Sequence, residues 1–354
     1  MSLAVARAPD FSQNAENRAG KITAERLALL LPDITRELAK TAAHYDRTGE
    51  FPHANLALLH AHGLLSLAVP YAFGGPEFSL AELRHVISAV AKGEPSTALL
   101  LVMQYIHHQV LLDKVEWPQS LRATVYQNAL EDGALINSFR VEVAVGSPLR
   151  GGLPATTARR TPQGWRLSGE KICATGIEGL TWLLIWAKSD DPTPLVGAWL
   201  VRRAAPGIRI TENWDYLGMR ATGSHTIVLE NVLTPLEYAV NVTPSNQPAN
   251  PQSAAWQGFP RANATLIGAL YDGIAQAARD AFIDWLKNTV PSNLGAPLAS
   301  LPTLQQKAAE IDSLLLQNRC LLDALASAPL RENEPGLLQA TVLENAIAAV
   351  EKIL

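Results

Sequence analysis

Residues 164–187 read GWRLSGEKICATGIEGLTWLLIWA, and this stretch determines the fold class of the middle of the chain. Its two ends, Gly164–Ser168 and Thr181–Ala187, are short runs that contain aromatic and β-branched residues, a composition that predicts β-strands. No helical pattern of about 10 to 15 residues separates the two runs, so a parallel dinucleotide-binding sheet is not expected. The stretch predicts two β-strands.

Short runs of the same composition occur on both sides of this stretch, from about Gly133 to Glu237. Five further runs predict strands: Ala134–Val141, Ala155–Arg160, Gly197–Val201, Ile208–Trp214 and His225–Val232. The sequence Thr161-Pro-Gln-Gly164 is suited to a hairpin turn, since proline presets φ and glycine relaxes the exit. The middle of the chain is therefore predicted to be a compact, mostly antiparallel β domain.

The flanking regions have helical periodicity. Apolar residues such as Leu27, Ile34 and Leu38 recur at helical spacing near the start. Ser79-Leu-Ala-Glu82 is a capping box that predicts a helix from Leu80 to Lys92. The segment Thr97–Leu112 has almost no polar face and predicts a buried central helix.

Beyond the β domain, Thr243–Gly258 is rich in Pro, Asn and Ser and predicts a connecting loop. Helical patterns then cover Arg261–Leu286, a segment behind a second capping box at Thr303–Gln306, and a last helix from about Leu337. The expected fold class is α+β. The expected divisions are a disordered lead-in (1–22), an N-terminal helical domain (23–132), a middle antiparallel β domain (133–240) and a C-terminal helical bundle (241–354).

Composition excludes several classes of protein. The 354 residues include 29 basic and 33 acidic side chains, a formal charge of −4, which argues against a nucleic-acid binder or an electrostatic membrane anchor. The apolar runs are shorter than the roughly 20 residues that a membrane helix needs. Only two cysteines occur, without the spacing of a disulfide framework or a zinc site, which favours a cytoplasmic location.

The common catalytic signatures are absent from the sequence. There is no HExxH, no GxSxG, no Walker loop and no GxGxxG after a strand. His53, His60 and His62 do not share a helix face with a third ligand, so no metal site is predicted. A cofactor would have to bind by another route.

Three stretches occur in order within the helix, β, helix arrangement: VPYAFGG at 69–75, LSGEKICATG at 167–176 and WDYLGMRATGS at 214–224. Together they closely resemble the acyl-CoA dehydrogenase superfamily of flavoproteins, and Gly268–Ala278 looks like the first C-terminal helix of that family. The resemblance runs from about residue 23 to the end. It implies an N-terminal helical domain, a middle β domain and a C-terminal four-helix bundle.

The resemblance also implies a flavin, FAD with FMN as the alternative. The segment that contains Cys173, Ala174 and Thr175 would line the ring, with the Thr175 hydroxyl near N5 and Cys173 where the family often has an aromatic residue. Asn137 and Ser138 occupy the strand whose backbone holds the pyrimidine edge in the family. The alternative for Thr175 is a strand-end threonine that caps its own turn.

Arg220 corresponds to an arginine that the family keeps inside the substrate cavity, and Thr222 and Ser224 would be its partners and contact substrate. The alternative is an arginine at a loop mouth in solvent. In the dehydrogenases of this family, a glutamate abstracts the α proton of the thioester. Its most common location would follow Leu354, so the sequence does not identify a catalytic base.

His107 and His108 lie near the end of the apolar helix, close to where related flavin monooxygenases of this fold carry a histidine. A neutral imidazole titrates near neutral pH and can move a proton during oxygen chemistry. The alternative is a pair of ordinary histidines that interact with the carbonyls of a helix end.

Three functions are compatible with the sequence. The first is α,β-dehydrogenation of an acyl-CoA in fatty acid metabolism, with hydride transfer to flavin N5 and an electron-transfer flavoprotein as partner. The second is a monooxygenase that receives reduced flavin from a separate flavin reductase. The third is a flavin-free binding or assembly subunit.

The C-terminal region also carries a prediction about assembly. Its apolar runs, such as Leu314-Leu-Leu316, are more than one helix stripe can bury in a monomer. We therefore expect a homodimer or a homotetramer formed through this bundle.

Overall fold

The computed structural model describes residues 22–112, 117–143, 152–247 and 259–354. The predicted lead-in lies outside these residues, apart from Ile22. Within the described residues the fold has eight α-helices and one eight-stranded sheet. The element order is helical, then β, then helical, as the sequence predicts.

Five helices form the N-terminal part: α1 (Ala24–Thr48), α2 (His53–Ala61), α3 (Leu80–Gly93), α4 (Pro95–Leu112) and α5 (Gln119–Asp132). The predicted capping box begins α3. The Ser79 hydroxyl accepts from the Glu82 amide (3.3 Å), and the Glu82 carboxylate accepts from the Ser79 amide (2.7 Å). Helix α4 is central and largely buried, since its position between α3, α6 and the sheet leaves it no open polar face.

The eight strands are β1 (Leu135–Phe139), β2 (Thr157–Thr161), β3 (Gly164–Lys171), β4 (Leu180–Ser189), β5 (Leu195–Arg202), β6 (Ile208–Thr211), β7 (Thr226–Thr234) and β8 (Ala239–Pro244). Their order is β6-β7-β3-β2-β4-β5-β8, and β1 also pairs with β4. Five of the seven strand pairings in the described sheet are antiparallel, which confirms the expected mostly antiparallel domain, while β1 and β2 each pair with β4 in parallel. The sheet is mixed.

Strand β8 overlaps the start of the predicted connecting loop. It pairs with β5 through Val196 and Thr243 despite Pro244 at its end. A proline is tolerated there because β8 is an edge strand whose outer amides need no partner strand.

Three helices complete the fold: α6 (Phe259–Asn288), α7 (Pro302–Ser327) and α8 (Glu334–Glu351). Helix α6 packs closely on α3, where a Cβ added to Gly273 would lie 2.5 Å from the Ser88 carbonyl oxygen. The predicted capping box at Thr303 is wrong. Helix α7 begins at Pro302, and its N-cap, Leu301, makes no side-chain capping bond.

Side chains from both helical regions and from the sheet share one large core cluster. A second cluster packs α5 against the opposite part of the sheet, around Trp117, Tyr126 and Trp182. Burial of each large aliphatic or aromatic side chain contributes about 1.5–3 kcal/mol relative to exposure. This packing fixes α4 against β1.

Two kinds of feature are absent from the described residues. Across these residues, no helix combines the length and apolar character required to cross a membrane. In the same part of the chain, no three His, Cys, Asp or Glu side chains cluster as metal ligands would.

Candidate functional site

Four of the residues singled out from the sequence form one hydrogen-bonded chain. The Asn137 side-chain amide donates to the Thr175 carbonyl oxygen (2.9 Å). The Ser224 hydroxyl donates to Thr175 Oγ1 (3.0 Å) and lies 2.7 Å from the Thr222 hydroxyl oxygen. Strand β1, the loop after β3 and the segment before β7 therefore meet at Thr175.

The hydrogen bonds within this chain show whether the Thr175 hydroxyl can donate to a bound molecule. The Thr222 hydroxyl donates to the Met219 carbonyl (2.9 Å), so its own hydrogen is committed. Thr175 Oγ1 accepts from Ser224, and no hydrogen bond within the described residues uses the Thr175 hydroxyl hydrogen. Because each hydroxyl has one donor hydrogen, Thr175 can offer its own to a bound molecule.

The loop that carries Thr175 has a defined conformation. Cys173 adopts a left-handed backbone (φ 54°) with an exposed side chain, while Ala174 is fully buried. The Ala174 amide donates to the His225 carbonyl, and the Gly176 amide donates to the Thr222 carbonyl, both at 2.9 Å. These bonds hold the loop against the segment that precedes β7.

A buried ion pair fixes the start of the same loop. Lys171 Nζ lies 2.5 Å from Glu142 Oε1, and both side chains are buried. The Glu142 carboxylate also accepts from the Ala155 amide (2.7 Å), the Thr156 amide (3.0 Å) and the Thr156 hydroxyl (2.6 Å). Burial alone would raise the pKa of Glu142, but the hydrogen bonds from Lys171 and Thr156 lower it to about 2.

The edge of β1 that faces away from β4 has no strand partner in the described chain. Gln104 of α4 bonds to this edge instead: its Oε1 accepts from the Ile136 amide (2.9 Å) and its Nε2 donates to the Ala134 carbonyl (3.0 Å). The next amide, that of Ser138, donates to Asn137 Oδ1 (2.7 Å). Side chains therefore already form hydrogen bonds with the backbone groups at this edge, where the family resemblance implies a backbone contact to flavin.

A cavity of about 160 Å³ opens beside this edge. Its lining residues are Met103, Ile106, His107, Trp117, Asn137, Ser138, Arg140, Leu184, Ala198, Asn241, Phe259 and Asn263. Within this lining, one imidazole, one guanidinium, three carboxamides and one hydroxyl face an otherwise apolar wall. No carboxylate belongs to the part of the lining that the structure describes.

Of the two histidines predicted from the sequence, His107 lines this cavity and His108 does not. His107 lines it, and His107 Nδ1 lies 2.7 Å from the Met103 carbonyl oxygen. Because a carbonyl oxygen can only accept, Nδ1 carries the hydrogen, and in neutral His107 the lone pair is on Nε2. Neutral His107 is therefore the tautomer with its hydrogen on Nδ1.

His108 is fully buried and packs against the Tyr126 ring, with 5.5 Å between ring centroids. Neither of its ring nitrogens has a hydrogen-bond partner in the described structure. Burial, with a smaller contribution from the His107 charge, lowers the pKa of His108 to about 3. His108 is therefore a neutral core histidine that does not line the cavity.

Arg220 also lies away from this cavity. Its guanidinium bonds to Asp215 Oδ1 and to the Tyr216 carbonyl oxygen, each at 3.0 Å. The end of α1 lies close by, since a Cβ added to Gly49 would be 3.9 Å from Arg220 Nη2. The structure brings together Thr175, Thr222 and Ser224, whereas the partly exposed Arg220 side chain pairs with Asp215.

Three polar cavity residues were missed from the sequence: Arg140, Asn241 and Asn263. Arg140 follows β1 directly and is two residues from Ser138, so alternation along an extended chain places both on one face. That spacing could have identified it. Asn241 and Asn263 reach the cavity only through the packing of β8 and α6, for which the sequence gives no local signal.

Two protein-family models match the chain: "Acyl-CoA dehydrogenase, N-terminal domain" over residues 34–113 and "Acyl-CoA dehydrogenase, middle domain" over residues 142–232. The Bacillus subtilis (strain 168) protein named "Putative acyl-CoA dehydrogenase YdbM" is 30% identical over 328 residues, which cover 91% of this chain and 83% of that relative. L-evernosamine nitrososynthase from a Micromonospora species is 30% identical over 269 residues, which cover 74% of this chain and 60% of that relative.

A solved structure is similar over nearly the whole fold. KijD3 in complex with FMN and dTDP-3-amino-2,3,6-trideoxy-4-keto-3-methyl-D-glucose is matched with a TM-score of 0.74 and 26% identity. The match covers 95% of this chain and 84% of that chain.

Proposed function

This chain belongs to the acyl-CoA dehydrogenase family, and from that premise we propose that it is a flavin-dependent monooxygenase acting on a small polar molecule. The observation that carries the proposal is the polar cavity beside β1, in which the basic Nε2 of His107 shares a lining with Asn137 and Ser138. An acyl chain would find apolar contact on only part of this lining, which also carries an imidazole, a guanidinium, three carboxamides and a hydroxyl.

The donor set beside the cavity fits a flavin. The ring offers hydrogen-bond acceptors at N5, N1 and O2, and the Thr175 hydroxyl has a hydrogen to donate. The residues that would hold the ring are Asn137, Ser138 and the loop Cys173–Thr175. FAD and FMN are both compatible with this set, since acyl-CoA dehydrogenases use FAD and the similar KijD3 structure contains FMN.

When bound in reduced form, the flavin supplies two electrons to molecular oxygen, one atom of which enters the substrate while the other leaves as water. The protein contributes proton handling and orientation. His107 Nε2 can accept a proton from the substrate or return one to the departing oxygen, while the bond from Nδ1 to Met103 holds the ring in place. The carboxamides of Asn241 and Asn263 orient the polar groups of the substrate.

Two of the similar proteins support the same interpretation. One is named L-evernosamine nitrososynthase, and KijD3 was solved with FMN and an amino sugar nucleotide. Such an enzyme would receive reduced flavin from a separate flavin reductase. Its substrate would be a small molecule rather than a nucleic acid or a membrane.

A second candidate is dehydrogenation of an acyl-CoA, which the similarity to YdbM favours. Within the described cavity lining, His107 is the residue that could take the α proton, because no carboxylate is present there. In this case Thr175 would assist hydride transfer to N5, and an electron-transfer flavoprotein would reoxidise the flavin.

One experiment separates the alternatives. The protein is loaded with chemically reduced FMN or FAD and mixed with oxygenated buffer, and flavin reoxidation is followed by absorbance. We expect rapid reoxidation that slows in His107→Leu and not in His108→Leu, because only His107 lines the cavity. Acyl-CoA panels are added to the oxidised form in parallel, without oxygen.

Protection of reduced flavin from oxygen, together with bleaching by an acyl-CoA, would establish the dehydrogenase instead. Failure of the purified protein to bind either flavin would leave the third alternative, a flavin-free binding or assembly subunit.

A further inference from the structure

The ring of His225 joins two segments of the chain next to the Thr175 loop. His225 directly precedes β7, and only 14% of its side chain is exposed. Its Nδ1 accepts from two backbone amides, those of Asn213 (3.0 Å) and Trp214 (3.1 Å). Because a nitrogen that carries a hydrogen cannot accept, the neutral ring is protonated on Nε2. The ring therefore ties the segment after β6 to the start of β7.

The other ring nitrogen of His225 faces a carboxylate. Nε2 lies 3.3 Å from Glu178 Oε1, and a carboxylate oxygen only accepts, so this contact favours the same tautomer. Glu178 follows Thr175 by three residues in the same loop. Its carboxylate packs against Gly223, where an added Cβ would lie 2.6 Å from Oε1. The absence of a side chain at Gly223 therefore lets Glu178 reach the His225 ring.

The backbone beside this ring holds the Thr175 loop. The His225 carbonyl oxygen accepts from the Ala174 amide (2.9 Å), and the Ser224 hydroxyl donates to Thr175 Oγ1 (3.0 Å). Both contacts depend on the position of the backbone at Ser224 and His225. The His225 ring fixes that backbone through its bonds to the segment after β6. Displacement of the ring would therefore disturb both contacts to the loop.

We propose that His225 is a positioning residue that holds the Thr175 hydroxyl in the direction required for donation to flavin N5. The hydrogen bonds of His225 belong to the chain itself, whereas the flavin rests on the proposed function. A donor that is already in place needs no reorganisation when charge arrives at N5, which is how a preorganised hydrogen bond increases a rate. In this role His225 acts through Thr175 and needs no contact with the flavin.

Two substitutions of His225 separate the roles of its ring nitrogens. In His225→Asn the side-chain oxygen takes the place of Nδ1 and can still accept from the Asn213 and Trp214 amides. In His225→Gln the polar group reaches the place of Nε2, so both amides lose their acceptor. We expect His225→Gln to slow the dithionite reduction of bound FMN by about tenfold or more, because amides without partners displace the segment. His225→Asn should recover most of the rate.

A double variant tests whether the effect passes through Thr175. In Thr175→Val no hydroxyl is left to position, so adding His225→Gln should not slow the reduction of bound FMN further. Losses that multiply in the double variant would show that His225 affects the rate independently of Thr175, and would overturn the inference.

Two measurements on the flavin-free protein are independent of the proposed function. ¹⁵N NMR of ring-labelled histidine should place the hydrogen of neutral His225 on Nε2. Hydrogen exchange at the Ala174 amide should become faster in His225→Gln but not in His225→Asn. The control is His44→Gln, which removes the contact of an exposed histidine with Glu50 (2.9 Å) and should change neither the exchange nor the reduction rate.

A hydrogen on Nδ1 of neutral His225, or unchanged exchange at Ala174 or an unchanged FMN reduction rate in His225→Gln, would overturn the inference. Circular dichroism confirms that each variant is folded. If His225→Gln does not fold, the ¹⁵N spectrum and His225→Asn carry the test, and a large loss of rate in His225→Asn would count against it. Protein that shows the expected exchange but binds no FMN would reject the proposed function, while the positioning of Thr175 by His225 would stand.

Discussion

The Ser224 hydroxyl donates to Thr175 Oγ1 over 3.0 Å, although the two residues are 49 positions apart in the chain. This bond joins the loop after β3 to the segment that leads into β7. It fills an acceptor position on Thr175 and leaves the Thr175 hydrogen for a ligand. This single hydrogen bond therefore holds the two segments together and leaves the Thr175 hydroxyl as a donor for a ligand.

Thr175→Val tests the assignment of that donor. The change preserves side-chain shape and removes the hydroxyl, so the charge that reaches flavin N5 during reduction loses a hydrogen bond of about 1.5–3 kcal/mol. We expect reduction of bound flavin to slow by roughly ten- to a hundredfold. The measurement is anaerobic stopped-flow reduction of the flavin-loaded protein by dithionite.

Two further variants calibrate this result. Ser224→Ala keeps the Thr175 hydroxyl but removes its anchor, so a smaller loss of rate is expected. Thr157→Val removes a hydroxyl from β2, outside the site, and should have no effect. A full reduction rate in Thr175→Val would mean that Thr175 only caps its own turn.

The sequence was sufficient for features governed by local chemistry. The capping box at Ser79 predicted helix α3 to within one residue of its end, because both of its hydrogen bonds lie within four residues. The same pattern failed at Thr303, since Pro302 begins the helix one residue earlier and moves Thr303 away from the N-cap position. Capping patterns are reliable only when the adjacent residues permit that register.

The site was predicted in part. Thr175, Thr222 and Ser224 lie together because recognised motifs contain them, but Arg140 and Asn263 required knowledge of which elements pack around β1. His107 and His108 look equivalent in sequence. Adjacent residues on a helix point in different directions, so packing alone decides that one lines a cavity and the other enters the core.

The ion pair between Lys171 and Glu142 leads to a prediction about stability. Lys171→Met leaves the Glu142 carboxylate buried without its countercharge, which is expected to lower the free energy of unfolding by about 3–5 kcal/mol. Adding Glu142→Gln should recover part of the loss, because no buried charge then remains while an oxygen still accepts from the Thr156 amide. Urea denaturation of both single variants and the double variant measures the coupling.

The control for this series is Lys40→Met, which removes an exposed ion pair with Glu37 and should change stability by about 1 kcal/mol or less. If Lys171→Met lowered the free energy of unfolding by no more than Lys40→Met does, the buried pair would not fix the loop.

Exposed apolar residues on the C-terminal helices support the predicted homodimer or homotetramer. Trp285, Leu316 and Ile347 are each at least half exposed although they are large. We expect light scattering to report a dimer or tetramer at micromolar concentration, and Leu316→Glu combined with Ile347→Glu to weaken it. Leu29→Glu, at an exposed site on α1, is the control. A monomeric wild type would contradict the prediction.

His108 predicts how stability changes with pH. Burial lowers the pKa of His108 from 6.5 to about 3, so the folded protein favours the neutral ring and the unfolded chain takes up a proton first. The contribution of neutral His108 to the free energy of unfolding is complete above the pKa of the unfolded chain, and it is lost as pH falls from about 6.5 towards 3. Between pH 7.5 and pH 5 this amounts to about 2 kcal/mol.

His108→Leu removes this titration and places an apolar side chain against the Tyr126 ring. The variant should therefore lose about 2 kcal/mol less than the wild type over the same pH interval, as measured by urea denaturation at both ends. His62→Leu replaces an exposed histidine and should keep the wild-type pH dependence. If His108→Leu and wild type lose the same free energy on acidification, His108 takes up its proton in the folded state, and its ring has access to water or an acceptor that the described packing does not provide.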